Sequence, residues 1–145
     1  MDRSERLALL FTGIILMVFI SAILFAVKAF DANVPECVPY GETFTKGELI
    51  ALDDKTYQLK YVAKMWVFDP PIVEVPVGSE VDIYLASQDV VHGFQIKGKN
   101  VNLMAVPGAI NLTSVKFDRK GTYYVICHEY CGVGHQNMQG EIIVK

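Results

Sequence analysis

The hydrophobic pattern changes character twice along the chain. From Leu7 to Val27 no residue is charged and nearly all are apolar (LALLFTGIILMVFISAILFAV). At about 1.5 Å of rise per residue, such a run makes a helix of roughly 30 Å, the thickness of a bilayer's hydrocarbon core. Its exceptions, Thr12, Gly13 and Ser21, are small and tolerated within a helix. A secretory signal has a shorter apolar region, about 7–15 residues, closed by a small-residue cleavage site. Ser21-Ala22-Ile23 and Ala26-Val27-Lys28-Ala29 fit such a site poorly, so residues 1–30 are expected to be a retained membrane anchor. Arg3 and Arg6 precede the span and Lys28 follows it closely. That bias favours a cytoplasmic amino terminus, with residues 31–145 on the periplasmic or extracytoplasmic side.

Residues 31–55 contain Pro35, Pro39, Gly41 and Gly47 among many polar positions, and are expected to form a tether with little regular structure. Cys37 lies there without His or Cys neighbours, which suits an idle or locally packed thiol better than lipidation or an intersubunit bridge. From Tyr57 the period becomes two. Tyr57, Leu59, Tyr61, Ala63, Met65 and Val67 fall on one face, with Gln58, Lys60, Val62, Lys64, Trp66 and Phe68 on the other. Asp69-Pro70-Pro71 stops this strand. Further β-rich runs follow at 72–75, 81–86, 93–96, 101–106, 110–117, 122–127 and 141–144, separated by turn residues such as Gly78, Gly98, Pro107-Gly108 and Gly121. No amphipathic helical stretch interrupts them. Residues 56–145 are therefore expected to form one all-β sandwich or barrel.

Length and composition narrow the function. With 145 residues the chain holds one modest domain and an accessory segment, and is too short for two enzyme domains. A hydrophobic share of 52% against 20% charged excludes a disordered chain. The net charge of −3 offers no basic surface for nucleic acid.

The chemistry is concentrated near the carboxyl terminus, in Cys127-His128-Glu129-Tyr130-Cys131-Gly132-Val133-Gly134-His135-Gln136-Asn137-Met138. Cys127, Cys131, His135 and Met138 have a spacing that also suits one face of a helix. Gly132 and Gly134 weaken a helix interior, and the run Tyr123–Ile126 leads into Cys127 as a strand. A loop at a strand end, aiming these side chains at one centre, is the better reading. Thiolate, imidazole and thioether donors favour copper over magnesium or calcium. A structural zinc site takes Cys and His and has no use for methionine. A Cys127–Cys131 disulfide explains the cysteines but leaves His135 and Met138 without a role. A mononuclear blue-copper site needs one Cys, so the second sulfur implies a second metal ion. A further ligand is needed from elsewhere. His92, at a strand-to-loop transition, is the candidate, and His128 is its competitor. Trp66 shares its predicted face with Lys60 and Lys64, and on pattern alone is a packed residue.

The run CHEYCGVGHQNM resembles the dinuclear copper (CuA) loop of cytochrome c oxidase subunit II, C-x3-C-x3-H-x2-M. DVVHGF resembles that family's segment carrying the first histidine ligand, and VEVPVGSEVDIYLAS and MQGEIIVK resemble its strands. The resemblance covers Tyr57 to Lys145 and the anchor, and is nearer the small single-span subunit of ba3-type oxidases than the two-span form. It implies a cupredoxin-like Greek-key sandwich. It also implies that Cys127 and Cys131 bridge two copper ions, that His92 and His135 each cap one, and that Met138 and the Glu129 carbonyl are weak ligands. The Glu129 side chain is implied as a magnesium ligand at the subunit I interface, and Trp66 as the exposed aromatic where a cytochrome c delivers electrons.

The implied function is electron uptake from cytochrome c at CuA and delivery to haem in subunit I, which holds the haem and CuB. Oxygen would be reduced to water there, with proton translocation. A subunit of a quinol oxidase is excluded because that class lacks these ligands. The alternatives are a CuA subunit of a nitric oxide reductase and a membrane-anchored copper-binding module. Residues 31–145 carry ten Lys+Arg and fourteen Asp+Glu, which gives only mild steering of a basic donor.

Overall fold

The computed structural model describes residues 2–30, 36–38 and 44–145. The chain divides into two compact units, 1–33 and 34–145.

The first unit is helix α1, Arg3–Ala29. It begins with a reciprocal cap: the Asp2 carboxylate accepts the Glu5 N–H at 2.9 Å, and the Glu5 carboxylate accepts the Asp2 N–H at 2.8 Å. This satisfies donors that the first helical turn otherwise leaves free. None of its residues is buried, although the helix is apolar around its whole circumference. Among the described residues it is the one helix long and apolar enough to cross a membrane.

The second unit packs two β-sheets face to face. One sheet contains β1 (Glu36–Cys37), β2 (Glu48–Ala51), β3 (Thr56–Lys64), β4 (Val67–Asp69), β6 (Ser79–Ser87) and β9 (Asn111–Phe117). Its order is β1-β9-β6-β3-β2, with β4 also paired to β3. The other sheet contains β5 (Ile72–Val75), β7 (His92–Ile96), β8 (Val101–Ala105), β10 (Gly121–Ile126) and β11 (Gln139–Val144), in the order β5-β11-β10-β7-β8. The pairs β3–β6 and β5–β11 are parallel and the others antiparallel. Alternate residues from both inner faces fill the core, among them Leu59, Tyr61, Ile83, Leu85, Phe94, Phe117 and Ile142. Tyr61, Phe68 and Phe94 pack on one another with ring centroids 5.4–5.7 Å apart. Cys127, Cys131 and Met138 belong to the same core.

Two expectations are corrected. The segment expected to be a tether contributes β1 and β2, which pair with β9 and β3, so sheet structure begins within it. β2 is the short run Glu48–Ala51 and gains its partner only in the sheet. Cys37 lies in β1, and its side chain is outside the described residues.

The strand expected from Tyr57 to Phe68 is a hairpin. β3 ends at Lys64, which pairs with Val67 across a two-residue turn, Met65-Trp66. Paired residues in a hairpin share a face, so this reversal swaps odd and even positions. Phe68 therefore joins Ala63 in the core, whereas Val67 lies beside Lys64. Trp66 consequently lies in the turn and not on a strand. The other boundaries lie within a few residues of those expected.

Candidate metal centre

Strand pairing brings the two donor-bearing segments together. β7 and β10 run antiparallel, with Ile126 opposite Gln95. The start of β7, at His92, therefore lies beside the end of β10, where Cys127 begins. β10 and β11 form a hairpin with Ile126 opposite Gln139, which fixes both ends of the connecting loop 127–138. Its mouth is closed by the Cys127 N–H donating to the Met138 carbonyl at 3.3 Å. Within it, only His135–Asn137 is helical, as a single 3-10 turn. The loop reading thus prevails over a helical stripe.

The donors converge on Cys131. Its Sγ lies 3.7 Å from Cys127 Sγ, 3.6 Å from His135 Nδ1 and 3.7 Å from Met138 Sδ. The sulfurs are too far apart for a disulfide, whose bond is about 2.05 Å, and both cysteines are free. Ligand atoms of His92, Cys127 and Cys131 all lie within 4.8 Å of one another. Cys127 Sγ approaches the Glu129 carbonyl oxygen at 3.2 Å. All six residues singled out as ligands are therefore gathered at one place. Burial above all, then Cys127 and Asp89 beside it, pushes the Cys131 thiol up to about 11. A cation among these donors reverses that preference and favours the thiolate.

His92 is fully buried. Its Nε2 meets Asp89 Oδ1 at 2.7 Å, while its Nδ1 has no hydrogen-bond partner. An orphaned buried imidazole nitrogen is costly unless something occupies its lone pair. Together with two thiols, a second imidazole and a thioether, it makes a donor set that fits copper. Burial opposes charge on Asp89, but hydrogen bonds from His92 and from the Met65 and Val90 N–H groups outweigh it. They hold the carboxyl below its ordinary range.

His128, the competitor, is turned elsewhere. It packs over Gly93, where an added Cβ would come within 2.6 Å of its ring and backbone nitrogen, and its Nδ1 is 3.6 Å from the Glu129 carboxylate. The Glu129 side chain is about half exposed.

Trp66, 42% exposed, lies over the loop. Its Nε1–H donates to the Cys131 carbonyl at 3.0 Å, and a Cβ at Gly134 would come within 2.4 Å of the indole ring. Gly134 is therefore required by close approach. Met65, Tyr130 and Val133 are also exposed apolar residues of the turn and loop. Asp89 and the Met65 N–H brace His92, and neither stands out in the sequence as a residue of the site. An acidic residue three positions before the histidine was the available signal for the first; a backbone N–H leaves no signal at all.

The family model for the periplasmic domain of cytochrome c oxidase subunit II matches residues 50–145. The chain is 42% identical over 89 residues to a cytochrome c oxidase subunit 2 of Thermus thermophilus, covering 61% of this chain and 66% of that one. A second Thermus thermophilus subunit matches equally well over 53% of its length, so the chain spans less than two thirds of either relative. A subunit in a cryo-EM structure of a heme-copper terminal oxidase dimer is 45% identical, with TM-score 0.82, covering 99% of this chain and 100% of that one. Auracyanin A, a "blue" copper protein of Chloroflexus aurantiacus, shares the fold alone, at 16% identity and TM-score 0.50 over 62% of this chain and 99% of its own. The expected cupredoxin-like sandwich with one apolar amino-terminal helix is thus the observed architecture. On the profile match and the full-length likeness together, the chain belongs to the cytochrome c oxidase subunit II family.

Proposed function

We propose that this chain is the electron-accepting subunit of a membrane-bound haem-copper oxidase. It takes electrons from a cytochrome c at a dinuclear copper centre and passes them to haem in subunit I, where oxygen is reduced to water with proton translocation. The observation that carries this reading is the convergence of two buried thiols, two imidazoles and a thioether on one point.

Cys127 and Cys131 would hold both metals through shared sulfurs. His92 and His135 would each cap one copper, with Met138 Sδ and the Glu129 carbonyl as weak ligands. A copper pair held in this way supplies one-electron exchange, with the added charge spread over two metals. The chain's own contribution is to keep the donors still. Both loop ends are fixed by sheet hydrogen bonds, and the sulfurs lie in the core, shielded from water. Weak donors and hydrogen bonds around the sulfurs tune the potential.

Trp66 is the proposed point of electron uptake. It is exposed beside Met65, Tyr130 and Val133, and one hydrogen bond joins its indole to the backbone of Cys131. An apolar face of this kind suits docking that depends little on charge. Helix α1 would anchor the chain in lipid with the sandwich on the periplasmic side. The half-exposed Glu129 carboxylate is proposed as a magnesium ligand toward subunit I.

Saturating copper reconstitution of the full chain in detergent tests the centre. Two coppers per chain and a purple, mixed-valence species with a seven-line EPR pattern are expected. One copper per chain, or a blue mononuclear spectrum, would overturn the proposal.

A further inference from the structure

The Met65-Trp66 turn reaches both donor-bearing segments. Toward the loop, Trp66 Nε1–H is bonded to the Cys131 carbonyl at 3.0 Å and the indole packs on Gly134. Toward His92, the Met65 N–H donates to Asp89 Oδ2 at 2.7 Å. The other oxygen of Asp89 accepts the Val90 N–H at 2.6 Å and meets His92 Nε2 at 2.7 Å. The same connection is braced by Ser87, whose hydroxyl donates to the Val90 carbonyl at 2.5 Å.

This arrangement decides which ring nitrogen of His92 faces the thiols. An ionised carboxylate only accepts hydrogen bonds, so the neutral imidazole carries its proton on Nε2. Nδ1 then keeps its lone pair, and it is the buried ring nitrogen without a partner. Without Asp89 the proton would be free to move to Nδ1 and the ring free to rotate.

We propose that Asp89, tethered by the Met65 N–H, is a positioning residue that sets the tautomer and aim of His92. Together with the Trp66–Cys131 bond it makes the Met65-Trp66 turn a single clamp, presetting both halves of the centre before metal arrives. The inference rests on the copper reading, but its first readout needs no copper. A carboxylate that merely stabilised the connection between β6 and β7 would change stability and leave the tautomer alone.

The test uses the full chain in detergent, with nitrogen-15-labelled histidine and no metal. In the unsubstituted protein, His92 is expected to show a protonated Nε2 and a bare Nδ1; a proton on Nδ1 overturns the proposal without recourse to any variant. Asp89→Ala is expected to give a mixture of tautomers and to weaken copper binding, in competition with a copper(I) chelator, by about 10–100-fold. Asp89→Asn keeps one acceptor oxygen where the carboxylate offers two, so it serves the His92 Nε2–H or the Met65 N–H but not both, and is expected to recover the tautomer and the affinity only in part. Trp66→Phe keeps a ring but loses the donor, with an expected loss of about fivefold. A folded Asp89→Ala chain with unchanged tautomer and affinity would overturn it. If the unsubstituted chain fails to take two coppers, the copper reading falls while the tautomer measurement still judges Asp89.

Discussion

The loop 127–138 and the segment Ser87–His92 meet at one cluster but are built by opposite means. The loop carries several donors close together in sequence, held by a hairpin whose register fixes both its ends. Ser87–His92 carries one donor, and nothing in its neighbourhood along the chain would orient that ring without Asp89. A dense set of ligands tolerates some movement because each partner limits the others. A lone remote ligand depends on its brace. The cluster is therefore expected to respond differently to damage on its two sides.

The largest effect is expected on the loop side. Cys131 Sγ lies near Cys127, His135 and Met138 at once, so Cys131→Ser removes the shared point of the cluster. Metal analysis and EPR are expected to show no two-copper species; survival of a seven-line spectrum would contradict the convergence. Next comes the fit between loop and turn. Gly134→Ala places a methyl within 2.4 Å of the indole carbon, and overpacking of that kind costs about 1–3 kcal/mol. A lowered thermal midpoint and a shifted copper spectrum are expected, and a midpoint equal to that of the unsubstituted protein would show that the two do not press on each other.

Smaller effects are expected at the surface. Trp66→Ala in the assembled oxidase is expected to lower kcat/KM for cytochrome c oxidation by about tenfold, as loss of a central aromatic anchor does at other interfaces. Unchanged steady-state kinetics would remove Trp66 from the path of electrons. Glu129→Gln leaves the backbone carbonyl in place and changes only the half-exposed side chain. Loss of tightly bound magnesium with an intact copper spectrum is expected from metal analysis, and retained magnesium would end the proposed role of that carboxylate.

Some of this molecule is legible along the chain because local chemistry suffices. An uncharged run from Leu7 to Val27 has one stable form wherever water is absent, a helix, and α1 extends it only slightly at each end. Ile72–Val75 is a strand with the expected bounds because Pro71 and Pro76 delimit it. The spacing of Cys127, Cys131, His135 and Met138 announces soft-metal chemistry, because few other arrangements use thiol, imidazole and thioether together.

Other features required three-dimensional context. The Met65-Trp66 turn contains no Gly, Asn or Pro, so the alternation of apolar residues runs through it without a signal and Phe68 takes the phase opposite to that expected. Strands β1 and β2 are too short to declare themselves and exist through their partners β9 and β3. Residue types along the chain determined the apolar helix, the all-β character and the soft-donor set, because each depends on interactions within a few positions. Tertiary structure decided that His92 and not His128 faces the thiols, that Trp66 covers the loop, and that Asp89 and a backbone N–H brace His92. Those choices depend on strand register and close approach between distant segments, which no local pattern encodes.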